Sequence, residues 1–203
     1  MLRIAILGAT GVGKDTLCRL LANDLARYSL ARKKLVKIRE IQEYSVLWTD
    51  KTGGTKEFFE QFWIYQMQRE WDHDFDSRSN DDFCAVILRA PAPLAYFFAL
   101  AFADIKDEKH REALADLYKE ALGELLKYDL IFFLPIEFNV PEGDRLRKKD
   151  FRFNVNASIR SFLPLHKIPF IEIRGTETER AKKVARAVKD MFKAKVAQET
   201  QKS

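Results

Sequence analysis

The chain has 203 residues, 47% of them hydrophobic, which is enough material for one domain with a full core. Its 35 basic residues exceed its 30 acidic residues by a formal net charge of +5, a mild excess that suits small anionic ligands and is too weak to indicate nucleic acid. Two cysteines lack metal-ligand spacing, the longest apolar run is too short to cross a bilayer, and the first methionine leads straight into a strand, so we expect a cytoplasmic protein without a membrane partner.

The predicted elements begin with a short strand, a glycine-rich loop and a helix. Residues 3–7 form a mostly apolar run, long enough for a buried strand. Residues 8–14, GATGVGK, fit the pattern G-x-x-x-x-G-K, and the leucines that follow recur at helical spacing. Strand, loop and helix in this order are the context in which the pattern predicts a phosphate site.

The residue types of this segment, the glycine loop (residues 8–14), explain the prediction. Glycines lack a Cβ, so the backbone can turn several N–H groups into one hollow. The following helix adds the positive end of its dipole, and a lysine adds a full charge. The residues predicted to bind a di- or triphosphate are Gly8, Ala9, Thr10, Gly11, Val12, Gly13, Lys14, Asp15 and Thr16.

The metal side of the loop departs from the usual pattern. The residue after the lysine is normally Ser or Thr, whose hydroxyl holds Mg²⁺, but here it is Asp15. The order G-x-x-G-x-G-K-x-T resembles the nucleotide-kinase version of this loop, in which the hydroxyl stands two positions after the lysine, so we assign the magnesium side to Thr16. Asp15 is either a further acid near the metal or a first-turn charge that favours the helix N-terminus.

Strands and helices alternate along the rest of the chain. The further predicted strands are 35–39, 84–88, 128–134 and 168–173, and the further predicted helices are 58–67, 91–103, 109–126, 151–163 and 181–192. This alternation predicts one α/β domain over residues 1–203, with a five-stranded, mostly parallel sheet and helices on both faces in three layers.

The sequence also predicts which side chains are buried and which are exposed. Phe58, Phe59, Phe62, Trp63 and Met67 share one helical face, which we expect to fill the core rather than to line a pocket. Residues 72–82 read as a polar surface loop, and the three histidines show no ligand spacing and are expected at the surface.

Ligands of parallel sheets bind beyond the carboxyl ends of the strands, which singles out the residues there. Glu40 follows the predicted second strand and accepts a proton from an acceptor hydroxyl, holds magnesium through water, or caps the next helix. Arg89 follows the third, where many phosphate-loop enzymes place an acid, and binds a phosphate or the acceptor, or forms a structural ion pair. Gly175 and Thr176 are expected to lie against a nucleotide base, and Thr176 also suits a helix N-cap.

A basic segment before the predicted fifth helix indicates a lid over about residues 139–163. Phosphoryl transfer needs positive charge around the migrating group and exclusion of water, and the arginine fork matches phosphate oxygens. We favour Arg147 and Arg152, because acids flank them and the helix begins there. The alternative is an ordinary solvated loop.

Four stretches together resemble the P-loop kinase superfamily, and in particular the ribosylnicotinamide-kinase-like ATPases of NAD biosynthesis. They are GATGVGKDTL, REIQEY, YDLIFFLP followed by Asp144-x-x-Arg147, and IPFIEIRGTETERAKKV with Gly175 and Arg180. The resemblance implies a P-loop NTPase fold, ATP, Mg²⁺ and transfer of the γ-phosphate to a small nucleoside- or nucleotide-like acceptor.

The first hypothesis is therefore a small-molecule kinase. In it, Lys14 holds the β- and γ-phosphates, Thr16 holds Mg²⁺ and Glu40 activates the acceptor hydroxyl. Arg89 and the lid arginines, Arg147 and Arg152, neutralise the transferring group.

Two other hypotheses remain open. Residues 50–53, DKTG, match the short D-x-x-G element of GTPase-like switches, although no N-K-x-D follows for guanine. A nucleotide-binding protein with little turnover is the third hypothesis, because Leu88 and Arg89 stand where a strand-end acid is usual.

Overall fold

The computed structural model describes residues 2–32, 37–41, 44–45, 47–48, 57–74, 84–139 and 149–200. Its strands are β1 (Leu2–Leu7), β2 (Lys37–Ile41), β3 (Cys84–Leu88), β4 (Leu130–Phe133) and β5 (Ile171–Glu172). Its longer helices are α1 (Lys14–Arg32), α2 (Glu60–Asp74), α3 (Leu94–Phe102), α4 (Glu108–Leu125), α5 (Lys149–Leu165) and α6 (Glu177–Thr200).

The strands form one parallel sheet in the order β2-β3-β1-β4-β5. Four of them have four to six residues, whereas β5 contributes two residues at the edge. The predicted α/β fold with a parallel sheet is confirmed. The last strand is shorter than predicted, because only Ile171 and Glu172 pair with β4.

The strand order places the end of β1 at the point where the chain changes direction across the sheet. After β1 the chain builds β2 and β3 on one side of it, and then β4 and β5 on the other. The loop after β1 therefore lies between the carboxyl ends of β3 and β4, in the crevice where open α/β sheets bind ligands.

Helices cover both faces of the sheet. Every residue of β1 except Arg3 is buried, so side chains that alternate between the two faces are all covered. Helix α1 packs against α6, while α3 packs against α2, α4 and α5. In the described residues no helix is both long and apolar enough to cross a membrane, and the apolar α3 is mostly buried in this core.

The boundary of β2 corrects the placement of Glu40. The prediction that Glu40 follows the strand is wrong: it is the penultimate residue of β2 and lies opposite Ile87. The reason is that the ladder between β2 and β3 continues to the pair of Ile41 and Leu88. Glu40 still lies at the carboxyl end of the sheet, where the glycine loop begins.

The predicted buried face of α2 is also wrong in part. Phe59 and Trp63 are 55% and 65% exposed. The buried stripe instead consists of Gln61, Ile64, Tyr65, Gln68 and Asp72. Polar side chains are accommodated there because they find partners: Asp72 accepts hydrogen bonds from Gln68 Nε2 at 3.0 Å and from the backbone N–H of Ala92 at 2.8 Å. Asp72 is thus a core residue and not part of a surface loop.

We expected the three histidines at the surface, but all three are half-buried. Each makes a hydrogen bond that joins two parts of the chain. The pairs are His73 with Glu124 at 2.9 Å, His110 with the backbone N–H of Asp104 at 3.0 Å, and His166 with Tyr118 at 3.0 Å.

Candidate functional site

The glycine loop has the backbone geometry of an anion nest. Gly11 and Gly13 have φ angles of 73° and 88°, a left-handed conformation in which a side chain would be strained. Helix α1 starts within the loop, and its first hydrogen bond runs from the N–H of Leu17 to the carbonyl of Gly13 at 3.0 Å. The N–H groups of its first turn therefore have no partner within the helix and are free to bind an anion.

Lys14 supplies a positioned charge. Its side chain is only 6% exposed, and its Nζ donates to the carbonyls of Gly8 and Ala9, both at 3.0 Å. An ammonium group has three N–H donors. The described residues provide acceptors for two of these donors, so the third N–H can bind a ligand.

Two buried arginines donate hydrogen bonds to backbone carbonyls of the loop. Arg152 of α5 donates from Nε to the carbonyl of Thr10 at 2.9 Å, and Arg180 of α6 donates from Nη1 to the carbonyl of Val12 at 2.7 Å. Their side chains are only 4% and 3% exposed, and burial lowers the pKa of Arg152. Both bonds engage carbonyl oxygens, so the N–H groups of the loop stay available.

Each of these arginines also carries an unpartnered donor. Within the described part of the chain, Arg152 Nη2 and Arg180 Nε are buried and make no hydrogen bond. A buried cationic donor without a partner costs free energy. Together with the nest geometry of the loop and the ammonium of Lys14, these buried cations make the residues present fit a polyphosphate ligand.

Arg180 belongs to a network that fixes the loop to its neighbours. The carboxylate of Glu137, which follows β4, accepts hydrogen bonds from Arg180 Nη2 and, at 3.0 Å, from the N–H of Gly175. Partial burial opposes ionisation of Glu137, yet these hydrogen bonds hold the pKa of its carboxyl below the ordinary value. The glycine loop, the end of β4 and the turn before α6 therefore form one connected unit.

The turn before α6 is a capping box, which confirms the predicted N-cap at Thr176. Its backbone N–H donates to Glu179 Oε2 at 2.8 Å, and the N–H of Glu179 donates to Thr176 Oγ1 at 3.4 Å. These bonds fix the turn itself at the start of α6.

A cavity of about 410 Å³, the α6-side cavity, lies between this turn and the start of α1. Its lining residues are Gly13, Thr16, Leu17, Phe138, Gly175, Thr176, Glu177 and Arg180. The structure thus brings four predicted nucleotide-binding residues together in one wall; that they bind a nucleotide stays a prediction.

The metal side of the loop offers a small donor set. Asp15 is largely exposed, and one of its carboxylate oxygens lies 3.3 Å from Arg89 Nη1. In the portion of the chain that is described, no group of three or more His, Cys, Asp or Glu residues is arranged to hold a metal. Mg²⁺ is commonly held by one or two carboxylates together with substrate phosphates and water. Asp15 and the hydroxyl of Thr16 fit this limited role.

A second cavity, the α2-side cavity, is lined by Thr10 and by residues of α2 and has a volume of about 30 Å³. Its polar lining residues are Thr10, Ser45, Gln61 and Gln68, and its other lining residues are Ile64, Ala90, Pro91, Ala92, Leu94, Ala95 and Phe98. Gln61 Nε2 is buried and, among the described contacts, unpartnered. Sequence reasoning missed this cavity, although Gln61, Gln68 and Asp72 share one helical face with apolar neighbours.

Some predicted residues cannot be placed at the site. Arg147 and the D-x-x-G element at residues 50–53 lie outside the described residues, and so does the side chain of Glu40. The last part of the predicted lid is the helix α5, which buries Phe151, Arg152, Val155, Ile159, Phe162 and Leu163. The sequence analysis did not predict a role for Glu137. Its position, shortly after a buried strand, was the one feature that could have indicated it.

The comparisons with known proteins agree with this architecture. No protein-family model matches the chain, and no curated protein matches it by sequence. Among solved structures, a NadR protein in complex with NR superposes with a TM-score of 0.69 at 14% identity, over 93% of this chain and 50% of that one. This chain therefore spans about half the length of the NadR protein.

Two further solved structures match over nearly their whole length. Deoxyadenosine kinase from M. mycoides has a TM-score of 0.63 at 15% identity and is covered over 100% of its length by 93% of this chain. Thymidylate kinase from Candida albicans has a TM-score of 0.66 at 15% identity, over 94% of this chain and 92% of that one. At these identities the likeness concerns the fold, and the chain has the fold of the P-loop kinases.

Proposed function

We propose that the protein is an ATP-dependent phosphotransferase that moves the γ-phosphate to a small nucleoside- or nucleotide-like acceptor. The observation that carries this proposal is the anion-nest geometry of the glycine loop, with the buried ammonium of Lys14 at its end and the guanidinium groups of Arg152 and Arg180 bonded to its carbonyls. A polyphosphate is the ligand whose several oxygens would suit the loop amides and Lys14 together.

In this proposal the donor nucleotide binds from the glycine loop into the α6-side cavity. Lys14 and the first amides of α1 hold the β- and γ-phosphates, and the base extends towards Gly175 and Thr176. The M. mycoides kinase structure was solved with dCMP and dCDP bound, and the NadR structure with NR. Those ligands belong to those proteins, but they support a nucleotide or nucleoside as the ligand class here.

The acceptor is proposed to bind on the α2 side of Thr10. Its hydroxyl oxygen forms a bond to the γ-phosphorus, while the bond from that phosphorus to the β–γ bridging oxygen breaks and its electron pair leaves with ADP. We assign the proton of the hydroxyl to the carboxylate of Glu40, which lies at the same end of the sheet. Arg152, and Arg147 if the lid closes over the site, neutralise the transferring group.

Magnesium is proposed to neutralise phosphate charge when it is bound. Asp15 and Thr16 are the residues that we assign to hold it. Asp15 also pairs with Arg89, which places a cation at the end of β3. This pair supports the structural interpretation of Arg89 and is compatible with a second role in binding phosphate.

That same pair favours one alternative, a nucleotide-binding protein with low turnover. The end of β3 carries Arg89 where an acid is usual, and the remaining acid, Asp15, faces this arginine at 3.3 Å. Both features reduce the negative charge that is available to the metal.

Acceptor-dependent release of ADP distinguishes these functions. We expect ADP release from ATP with at least one member of a panel of nucleosides and nucleoside monophosphates, and none with Lys14→Ala. Tight ATP binding without release for any acceptor would favour the low-turnover protein. A strong preference for GTP over ATP would favour the switch.

A further inference from the structure

One exposed aromatic ring lines the α6-side cavity. Phe138 is 45% exposed and contributes to the cavity wall together with Gly13 and Thr176. A Cβ built on Gly13 would lie 4.0 Å from Phe138 Cζ, so the ring stands beside the glycine loop. Single exposed rings are common on protein surfaces. The position of this one, in the wall next to the predicted phosphate site, distinguishes it.

The ring is backed by a fixed cation. The guanidinium carbon of Arg180 lies 5.4 Å from the centre of the Phe138 ring, which is within the range of a cation–π contact. Arg180 is itself held by the carbonyl of Val12 and by Glu137. The ring therefore rests on a side chain that is tied to the glycine loop at one end and to β4 at the other.

The polar groups near the ring are mostly engaged within the protein. The hydroxyl of Thr176 donates to Glu179 at 2.9 Å, and Arg180 uses two of its nitrogens for Val12 and Glu137. The one buried nitrogen that Arg180 leaves without a described partner is Nε. The wall thus offers a flat aromatic surface next to a cation, which suits a heteroaromatic ring that carries hydrogen-bond acceptors.

We propose that the base of the donor nucleotide stacks on Phe138, with Arg180 as the fixed support of that ring. This inference rests on the proposed function, because it assumes that the triphosphate lies in the glycine loop. The lining of this cavity includes Gly13 and Thr16 at the glycine loop, Gly175 and Glu177 at the turn before α6, and Phe138. A nucleotide whose phosphates fill the loop and whose base extends into this cavity therefore has the Phe138 ring in the wall around it.

The experiment compares ATP with inorganic tripolyphosphate, which has the phosphates and no base. Binding to the full chain is measured by calorimetry with Mg²⁺ held constant. For Phe138→Ala we expect the Kd of ATP to rise on the order of tenfold or more, as for other base–aromatic stacks. We expect the Kd of tripolyphosphate to stay within about twofold, since this ligand makes no stack.

Three further variants keep the test decisive. Phe138→Tyr retains a ring and should bind ATP as the unmodified chain does, whereas Phe138→Leu retains bulk without a ring and should lose affinity as Phe138→Ala does. Should Phe138→Ala fold poorly, the Tyr and Leu variants carry the comparison. Phe59→Ala removes a ring that is 55% exposed and lies outside the lining of the cavity, and should change neither Kd.

The remaining outcomes contradict either the stacking inference or the proposed function. Unchanged ATP binding in both Phe138→Ala and Phe138→Leu overturns the stacking inference and leaves the proposed function in place. An equal loss of ATP and tripolyphosphate affinity also overturns it, because the ring would then act by shaping the loop. If the unmodified chain binds neither ligand, the proposed function itself fails.

Discussion

The α6-side cavity and the α2-side cavity differ in charge, room and rigidity. On the α6 side, an open cavity of about 410 Å³ is bordered by Arg180, whose guanidinium is tied to Val12 and Glu137. On the α2 side, the described residues line a cavity of about 30 Å³, and the polar lining groups are amides and hydroxyls. The first side has a fixed cation and room for a ligand, whereas the second is smaller and lined by neutral groups.

This difference suggests how the two substrates would bind. The α6 side is held by bonds that cross from one element to another, so a nucleotide would find its partners in place. A nucleoside-sized acceptor needs a pocket of several hundred Å³, which is more than the cavity that the described residues line on the α2 side. Mutations on the two sides should therefore have separable effects on donor and acceptor.

The largest effect is expected from Lys14→Ala, which tests whether the α6 side depends on its buried charge. The change removes the ammonium that donates hydrogen bonds to the carbonyls of Gly8 and Ala9. We expect the Kd of ATP, measured by calorimetry, to rise about a hundredfold or more. Lys119→Ala removes a solvent-exposed lysine paired with Asp116 and serves as the control. Equal ATP affinity in both variants would contradict the assignment of the loop.

Arg180→Ala tests the rigidity of the α6 side. It removes the bonds to Val12 and Glu137 and leaves that carboxylate without its main partner. We expect the free energy of unfolding to fall by about 2–3 kcal/mol. Urea denaturation measures it, with Arg186→Ala, which removes a side chain that is 87% exposed, as the control. A loss below about 0.5 kcal/mol, typical of surface positions, would show that the network does not hold the loop.

The protonation state of the buried Asp72 carboxyl tests whether the α2 side is uncharged. Burial raises the pKa of its carboxyl from 3.8 to about 7, although hydrogen bonds from Gln68 and Ala92 oppose the rise. Because the folded protein then holds a proton that the unfolded chain releases, stability should fall as the pH rises from about 4 to 7. The expected loss over this range is roughly 3–4 kcal/mol, because the folded and unfolded pKa values differ by about 3 and each pKa unit corresponds to about 1.4 kcal/mol.

The comparison of Asp72 with Asp72→Asn isolates this titration. The amide does not ionise, so the variant should lack this part of the slope of unfolding free energy against pH, whatever its absolute stability. Urea denaturation at several pH values between about 4 and 8 gives both slopes. Identical slopes would show that Asp72 is ionised throughout and that the α2 side is not neutral.

The smallest effect is expected from Gln61→Met. The buried Nε2 of Gln61 has no described partner, so an apolar side chain of similar size should leave stability unchanged or raise it by up to about 1 kcal/mol. If this amide binds the acceptor, the KM for the acceptor rises several-fold while the Kd of ATP stays constant. Gln66→Met, at an exposed position of the same helix, is the control. A change in ATP affinity would place Gln61 on the donor side instead.

The same two sides differ in how far the sequence predicts them. The glycine loop was predictable because strand, loop and helix are adjacent in the chain, and the geometry follows from Gly11, Gly13 and Lys14 alone. The order of strands and helices likewise predicted the parallel α/β sheet. Local patterns were sufficient wherever the interacting groups are close in sequence.

Long-range pairing explains what the sequence did not reveal. The bond between Glu137 and Arg180 joins residues 43 positions apart, and nothing near either residue indicates it. On α2, hydrophobic spacing favoured Phe59 and Trp63 as buried, but the helix turns Gln68 and Asp72 inward because Ala92 and other distant groups satisfy them. Hydrophobic spacing alone mispredicts the buried face of a helix when its polar residues have hydrogen-bond partners elsewhere in the chain.

The central claim is that the backbone amides of the glycine loop bind the phosphates of a nucleotide. A titration with ATP and Mg²⁺, followed by amide ¹H–¹⁵N NMR spectra, tests it residue by residue. We predict the largest shifts at residues 8–16, with a second group at residues 175–180, and almost none on α4. Saturable binding with the main shifts elsewhere, or no shifts at millimolar ATP, would contradict the account.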